Sequence, residues 1–341
     1  MSTAFAGYVA GSIRRGHFTY IDIGCSGGID PVVRVFGDRL RVVAFDASAD
    51  ECERLAAAET HPGIRYVAGF VGISPEHAFA RRAGDRPRYE RNPFGRFCAG
   101  RMLELNRQRL ASSSLEEKLR HNVWGMTRLA DPAKPVIVPA LLSEMGWTDV
   151  DFLKIDIDGP DFDVLNSFDG YLASMGVIAA RLEVNLYGGT DEVQHTFHNT
   201  DRFMRARGFE LAGLDVRTYA MSAMPAPFAI TAPAQNVSGR PYQAEAFYAR
   251  DPAAPEQTAA SIRLTPEKLA KLAAIFSIWN QPDGAAEILG TFACELSPFL
   301  DIDLGLELLA GQAQAKAARA LPYAEYVAAF EADDAGFYPA A

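Results

Sequence analysis

The stretch Phe18-Thr-Tyr-Ile-Asp-Ile-Gly-Cys-Ser-Gly-Gly28 decides the fold. An apolar run over residues 18–23 ends in a turn carrying Gly24, Gly27 and Gly28. A short apolar run stopped by glycines is how a buried strand passes the chain to a helix. The pattern repeats outward. Residues 31–36 place Val32, Val33 and Phe36 at helical spacing, and residues 40–45 form a second apolar run ending at Asp46. Residues 48–58 read as a helix with Ser48 as N-cap and Glu51 three residues on, a capping-box arrangement. Residues 64–68 give a third strand. Strands and helices alternating at this interval predict a parallel sheet covered by helices on both faces.

Residues 72–135 break the pattern. They are rich in arginine, interrupted by Pro87, Pro93 and Pro132, and hold one helical segment at 115–121. A long irregular insertion in a compact domain is more often functional than idle. Strands follow at 136–138, 152–157 and 177–184, with helices at 141–146 and 191–207, the latter stopped by Gly208. Residues 209–214 and 244–249 read as the final strands. After Asp251-Pro-Ala-Ala-Pro255 the chain turns alanine- and leucine-rich, with Thr265 and Pro266 as cap and first helical residue. Leu269, Leu272, Phe276 and Trp279 form a packing stripe, for the catalytic domain or for a second subunit. Two regions are expected: residues 1–250, and a helical region 251–341 that is also a candidate surface for a homo-oligomer.

Of 341 residues, 49% are hydrophobic and 22% charged, the balance of a globular chain. Lys plus Arg number 33 against 43 Asp plus Glu, a net charge of −10, which argues against a nucleic-acid partner. No apolar run approaches the roughly 20 residues that span a bilayer. The segment 1–10 has no basic side chain ahead of its apolar residues, so it makes a poor signal peptide. Cys25, Cys52, Cys98 and Cys294 follow neither a metal-binding nor a disulfide spacing, as expected of a cytoplasmic protein with reduced thiols.

A glycine-rich first turn with an acid at the end of the next strand, here Asp46, is a general nucleoside or dinucleotide pattern that does not by itself separate NAD from S-adenosylmethionine. Two details favour the sulfonium cofactor. Gly24-x-Ser26-x-Gly28 departs from G-x-G-x-x-G. Asp22, just before the turn, would repel a pyrophosphate and attract an ammonium or sulfonium group, unless it only caps the turn. The candidate cofactor residues are Asp22, Gly24, Ser26, Gly28, Asp46 and Asp156.

The chain resembles the FkbM family of S-adenosylmethionine-dependent methyltransferases. Residues 20–28 resemble its cofactor loop, and Val43-Ala-Phe-Asp46 its ribose-binding strand. Asp151-Phe-Leu-Lys-Ile-Asp-Ile-Asp-Gly159, followed by Pro160, Asp161, Val164 and Leu165, is the most distinctive match. Arg181-Leu-Glu-Val184 and Gly208-Phe-Glu-Leu211 complete it, so the similarity spans about residues 15–250. The resemblance implies a class I methyltransferase fold: a doubly wound, mostly parallel, Rossmann-like sheet, here with a C-terminal helical appendage. It also implies S-adenosyl-L-methionine as cofactor and a carbohydrate or secondary-metabolite hydroxyl as methyl acceptor. The family usually has Glu where this chain has Asp46, Asp158 and Asp161, so each carboxylate reaches one methylene less far. The tail after Asp251 inherits no role.

Ligands of a doubly wound sheet meet the carboxyl ends of its strands. Alternation along residues 152–157 puts Lys154, Asp156 and Asp158 on one face. Asp158 is the first candidate for the base that takes the acceptor's proton, and Glu183 is the second. Lys154 would stabilise a developing alkoxide, or pair with Asp156 to orient the strand. His195 and His198, three apart on the expected helix, offer a further base. A metal site made by them with Asp191 or Asp201 is disfavoured, and none is expected. Tyr187 would lie over the pocket of the acceptor, a small molecule or glycan, or simply pack. Arg81, Arg82, Arg86, Arg88 and Arg91 form a solvated face or a grip on an anionic acceptor. Two other functions fit the same sheet: a nicotinamide-dependent oxidoreductase, or a non-catalytic protein that docks on biosynthetic enzymes through its tail.

Overall fold

The computed structural model describes residues 4–13, 16–72, 93–120, 126–132, 134–190, 192, 194–229, 234–254, 263–315 and 320–337. The five arginines at 81–91, His121 and Asp191 lie outside them. In chain order the strands are β1 (Phe18–Ile23), β2 (Leu40–Asp46), β3 (Ile64–Ala68), β4 (Val71–Gly72), β5 (Val136–Ile137), β6 (Phe152–Ile155), β7 (Ala179–Asn185), β8 (Glu210–Tyr219) and β9 (Arg240–Ala249). Seven make one sheet in the order β3-β2-β1-β6-β7-β9-β8. All its pairings are parallel except those of β9, which runs antiparallel to both neighbours. The doubly wound sheet is therefore the one expected, with a single reversed strand. β4 and β5 pair with each other where the 72–135 insertion leaves and rejoins the domain.

Alternation splits the sheet into two cores. Ile21, Ile23, Val43, Phe45, Leu153, Ile155, Leu182 and Val184 face one side, packed with residues of helices Val138–Glu144, Asp161–Ser167 and Phe197–Arg205. Phe18, Tyr20, Val42, Ala44, Phe152 and Phe247 face the other. That second face is covered by helix Ala4–Ser12, which the sequence reading did not anticipate, by the 3-10 segment Pro31–Arg39, and by the C-terminal helices.

The C-terminal helices thus complete the sheet's cover. In helix Pro266–Ile278, Leu269 and Leu272 are buried, and Trp279 just beyond it lies 4.6 Å from the Phe152 ring. An ionic knot fixes the join. Asp151, fully buried at the foot of β6, accepts from the Thr19 amide (2.8 Å) and pairs with Lys268 (2.6 Å) and Lys271 (3.2 Å). Lys271 also donates to the His17 carbonyl at 2.7 Å. A buried carboxylate left unpaired is costly, so these lysines have a fixed place.

Several boundaries differ from the sequence reading. β6 stops at Ile155, two residues early, because residues 156–159 turn to meet helix Asp161–Ser167. β8 and β9 run well past the expected 209–214 and 244–249. Asp215, Arg217 and Pro241 interrupt their apolar pattern, yet β8 is an edge strand and the ladder shifts register between Arg217 and Thr218, both of which tolerate such residues. The helix expected at 191–207 starts only at Phe197, with Thr196 as its N-cap residue. No helix among the described residues is long and apolar enough to cross a membrane.

Candidate active site

β1, β2, β6 and β7 are parallel neighbours, so their carboxyl ends lie along one edge of the sheet, and the polar residues there form the candidate site. The loop after β1 is drawn tightly onto its neighbours. Gly24 and Cys25 both donate to the Phe45 carbonyl (2.8 and 3.0 Å), Gly27 donates to Glu51 (3.0 Å), and Gly28 donates to the Cys25 carbonyl (2.8 Å). Gly24 has φ 95, and a Cβ there would lie 1.7 Å from the Asp156 carbonyl oxygen. Only glycine permits that approach of loop to β6. Gly28, at φ 100, also occupies the left-handed region.

Asp46, half-buried at the end of β2, accepts the Ser48 amide (2.7 Å) and bonds the Ser26 side chain. Burial raises its pKa, and those bonds oppose the rise. Asp22 is buried and lies beside Lys154, as the β1–β6 register requires. The Lys154 ammonium sits 3.4 Å from Asp22, 3.4 Å from Asp156 and 3.1 Å from the Gly24 carbonyl. Burial disfavours its charge, but Asp22 and Asp156 more than compensate and push its pKa up. The expected Lys154–Asp156 pair is therefore present, with Asp22 as a third member.

Asp158 is not on the strand face with Lys154 and Asp156, as alternation had suggested. It lies beyond β6 with φ 52, a conformation Asp tolerates better than most residues. Asp161 shapes this turn, accepting the amides of Ile157 (2.8 Å) and Gly159 (3.1 Å). The Asp158 residue is exposed. Desolvation by the protein around its carboxyl, with repulsion from Asp156 and Asp161, raises its pKa to about 6. A base with this value works only when deprotonated. Below pH 6, kcat/KM should fall about tenfold per pH unit, and above it the profile should flatten. A profile unchanged between pH 5 and 7 would remove Asp158 from the role.

Glu183 is buried, with its pKa raised well above normal by burial and by Asp156, Asp158 and Asp161. Arg217 partly offsets this at 3.1 Å. Arg217 also pairs with Glu245, which pairs with Arg181, which reaches Asp30 at 3.2 Å. This ionic chain crosses the upper sheet face. Sequence reading missed Arg217, Glu245 and Glu51. The signal for the first two was a pair of charged residues on adjacent strands, hidden because the first of those strands was drawn to end at 214, short of Arg217.

His195 precedes the helix rather than lying on it with His198. Its Nε2 contacts the Glu183 carbonyl (2.8 Å), and its Nδ1 contacts the Gly159 carbonyl (3.1 Å), with Asp161 at 3.5 Å. Both ring nitrogens meet backbone carbonyls, so the side chain ties β7 to the Asp158 turn. His198 contacts Thr196 instead. Among the described residues no cluster of three or more His, Cys, Asp or Glu has metal-binding geometry. Tyr187 is exposed at 41%, with its ring 6.3 Å from that of Tyr242, whose hydroxyl pKa burial and Glu183 raise.

The mostly parallel sheet with one reversed strand is the class I methyltransferase fold. The model of the methyltransferase FkbM domain matches residues 41–211, half of the chain, and the protein belongs to the FkbM methyltransferase family. No curated protein sequence matches it. Among solved structures, one similar chain is a proposed S-adenosylmethionine dependent methyltransferase from Listeria monocytogenes, at 10% identity and TM-score 0.32, covering 72% of this chain and 97% of its own. Another is the precorrin-6y C5,15-methyltransferase of Geobacter metallireducens, at 12% identity and TM-score 0.26, covering 72% and 86%. The 23S rRNA methyltransferase ErmE shows 11% identity and TM-score 0.28 over 83% and 81%. At such low scores these likenesses add no argument.

Proposed function

We propose that this methyltransferase takes its methyl group from S-adenosylmethionine and places it on a hydroxyl oxygen of a small-molecule or glycan acceptor. The observation that carries the cofactor reading is the saturated loop. A pyrophosphate needs free backbone N–H groups at such a turn. Here the amides of Gly24, Cys25, Gly27 and Gly28 are all spent on protein acceptors. Asp22, Asp46, Asp156 and Asp158 make the surroundings acidic. That suits a sulfonium and an ammonium group and opposes a dinucleotide, so the nicotinamide alternative loses ground. Asp46 would accept from the ribose hydroxyls, and Gly24, Ser26 and Gly28 would border the nucleoside.

The cofactor supplies an electrophilic methyl on sulfur. Asp158 faces the acceptor, holds its hydroxyl in line and takes the proton. When bound, the cofactor would give its methyl to the acceptor oxygen and leave as a neutral thioether, and the acceptor's proton would end on Asp158. Lys154 keeps Asp22, Asp156 and the loop together, and His195 holds the turn that presents Asp158. Glu183 is tied to Arg217, which leaves Asp158 as the more available base.

The test is to incubate the protein with isotopically methyl-labelled S-adenosylmethionine and a panel of hydroxyl compounds, sugars included. The expected product gains one labelled methyl as an ether. Label found only on nitrogen or carbon would overturn the oxygen assignment.

A further inference from the structure

We propose that Glu51 is a positioning residue for the cofactor, its carboxylate holding the 24–28 loop in its binding shape through the Gly27 amide. This role rests on the reading of that loop as the S-adenosylmethionine site.

The sequence points Glu51 elsewhere. In a capping box the third residue's side chain returns to the N-cap amide. Half of that box is present, since Ser48 Oγ accepts the Glu51 amide at 3.2 Å. The other half is not, because the Ser48 amide already donates to Asp46 at 2.7 Å. Glu51 is thereby released to cross from helix Ala49–Ala58 to the loop, where its Oε1 accepts from Gly27 at 3.0 Å. It is only 4% exposed. Arg54, a half-exposed side chain, neutralises it through Nε (2.8 Å) and Nη2 (2.6 Å).

The contact completes a ladder. Gly24 and Cys25 bond Phe45, Ser26 bonds Asp46, and Gly27 bonds Glu51. Successive loop residues are pinned to successive points at and after the end of β2. The loop backbone and the proposed ribose acceptor Asp46 consequently move as one body. Gly27 has φ 82, and the space where a side chain would stand is open, so the Glu51 bond to its amide is not backed by a side-chain contact from Gly27 itself. Loss of the bond lets the loop swing away from Asp46 and lowers affinity for any ligand that needs both.

Three full-length variants separate this from a simple ion pair: Glu51→Ala, Glu51→Gln and Arg54→Ala. Each loses the Glu51–Arg54 pair, but Gln keeps an oxygen for the Gly27 amide, and Arg54→Ala keeps the carboxylate. Affinity for S-adenosylhomocysteine by calorimetry should fall about tenfold or more in Glu51→Ala, the effect of losing a hydrogen bond to a charged group. In the other two it should stay within about threefold of wild type. Melting temperatures measured alongside give the structural comparison. Affinities that merely follow melting temperature across the three, or a Glu51→Ala protein that binds like wild type, overturn the role. Wild-type protein that does not bind S-adenosylhomocysteine overturns the cofactor reading and this role with it. Amide exchange at Gly27, slow in Glu51→Gln and fast in Glu51→Ala, then still reports whether the latch itself exists.

Discussion

Asp158→Asn should lower methyl transfer by about 100- to 10,000-fold, the usual contribution of a positioned general base. The amide keeps the shape of the side chain and removes its basicity. An aliphatic hydroxyl is a very weak acid, so its proton has to leave as the methyl arrives. Cofactor affinity should change little, because the loop contacts proposed for the cofactor lie at β1 and β2, away from Asp158. The drop should therefore sit in kcat with saturating cofactor. The turn is held by Asp161 accepting the amides on either side of Asp158, so the variant should stay folded. Near-full turnover in Asp158→Asn would place the base elsewhere, with Glu183 next.

The second large effect concerns stability. Asp151→Ala should destabilise the protein by about 3 kcal/mol, the lower end of the cost of breaking a buried ion pair by removing one partner. Lys271 is 2% exposed and would lose its contact with Asp151, as would Lys268 and the Thr19 amide. Glu267 at 2.9 Å and Asp149 at 2.8 Å remain as partial counterions, which keeps the effect at that end. Chemical denaturation should show a lower midpoint at unchanged slope. A midpoint equal to that of wild type would mean that the join between sheet and C-terminal helices does not depend on this knot.

Much of the fold was legible because its central strands are buried on both faces. Phe18–Ile23 and Leu40–Asp46 are apolar runs that glycines and an acid punctuate. Ser48 announced its helix correctly. The stripe of Leu269, Leu272, Phe276 and Trp279 was visible, but its partner was not. Pairing an apolar stripe with Phe152 and Phe247 is a tertiary choice that periodicity does not encode. The site was legible as a set of residues more than as an arrangement. Asp22, Lys154 and Asp156 do meet. Asp158 left the expected face because the strand ended early in favour of a turn that Asp161 organises. His195 left its helix because its ring fills the gap between Gly159 and Glu183. Glu51 was read as a capping residue, and Asp46 displaced it. In each case a hydrogen bond between residues distant in sequence, or a competing local one, outweighed the short-range pattern.

The central claim is that the loop after β1 and Asp46 bind a sulfonium nucleoside rather than a dinucleotide. Titration calorimetry on the full-length protein tests it most directly, with S-adenosylhomocysteine and NAD as separate ligands and Asp46→Ala as the paired variant. The account predicts binding of S-adenosylhomocysteine alone, weakened about ten- to a hundred-fold in Asp46→Ala by the loss of a charge-assisted hydrogen bond. Binding of NAD without S-adenosylhomocysteine, or an affinity unchanged in a folded Asp46→Ala protein, would contradict it.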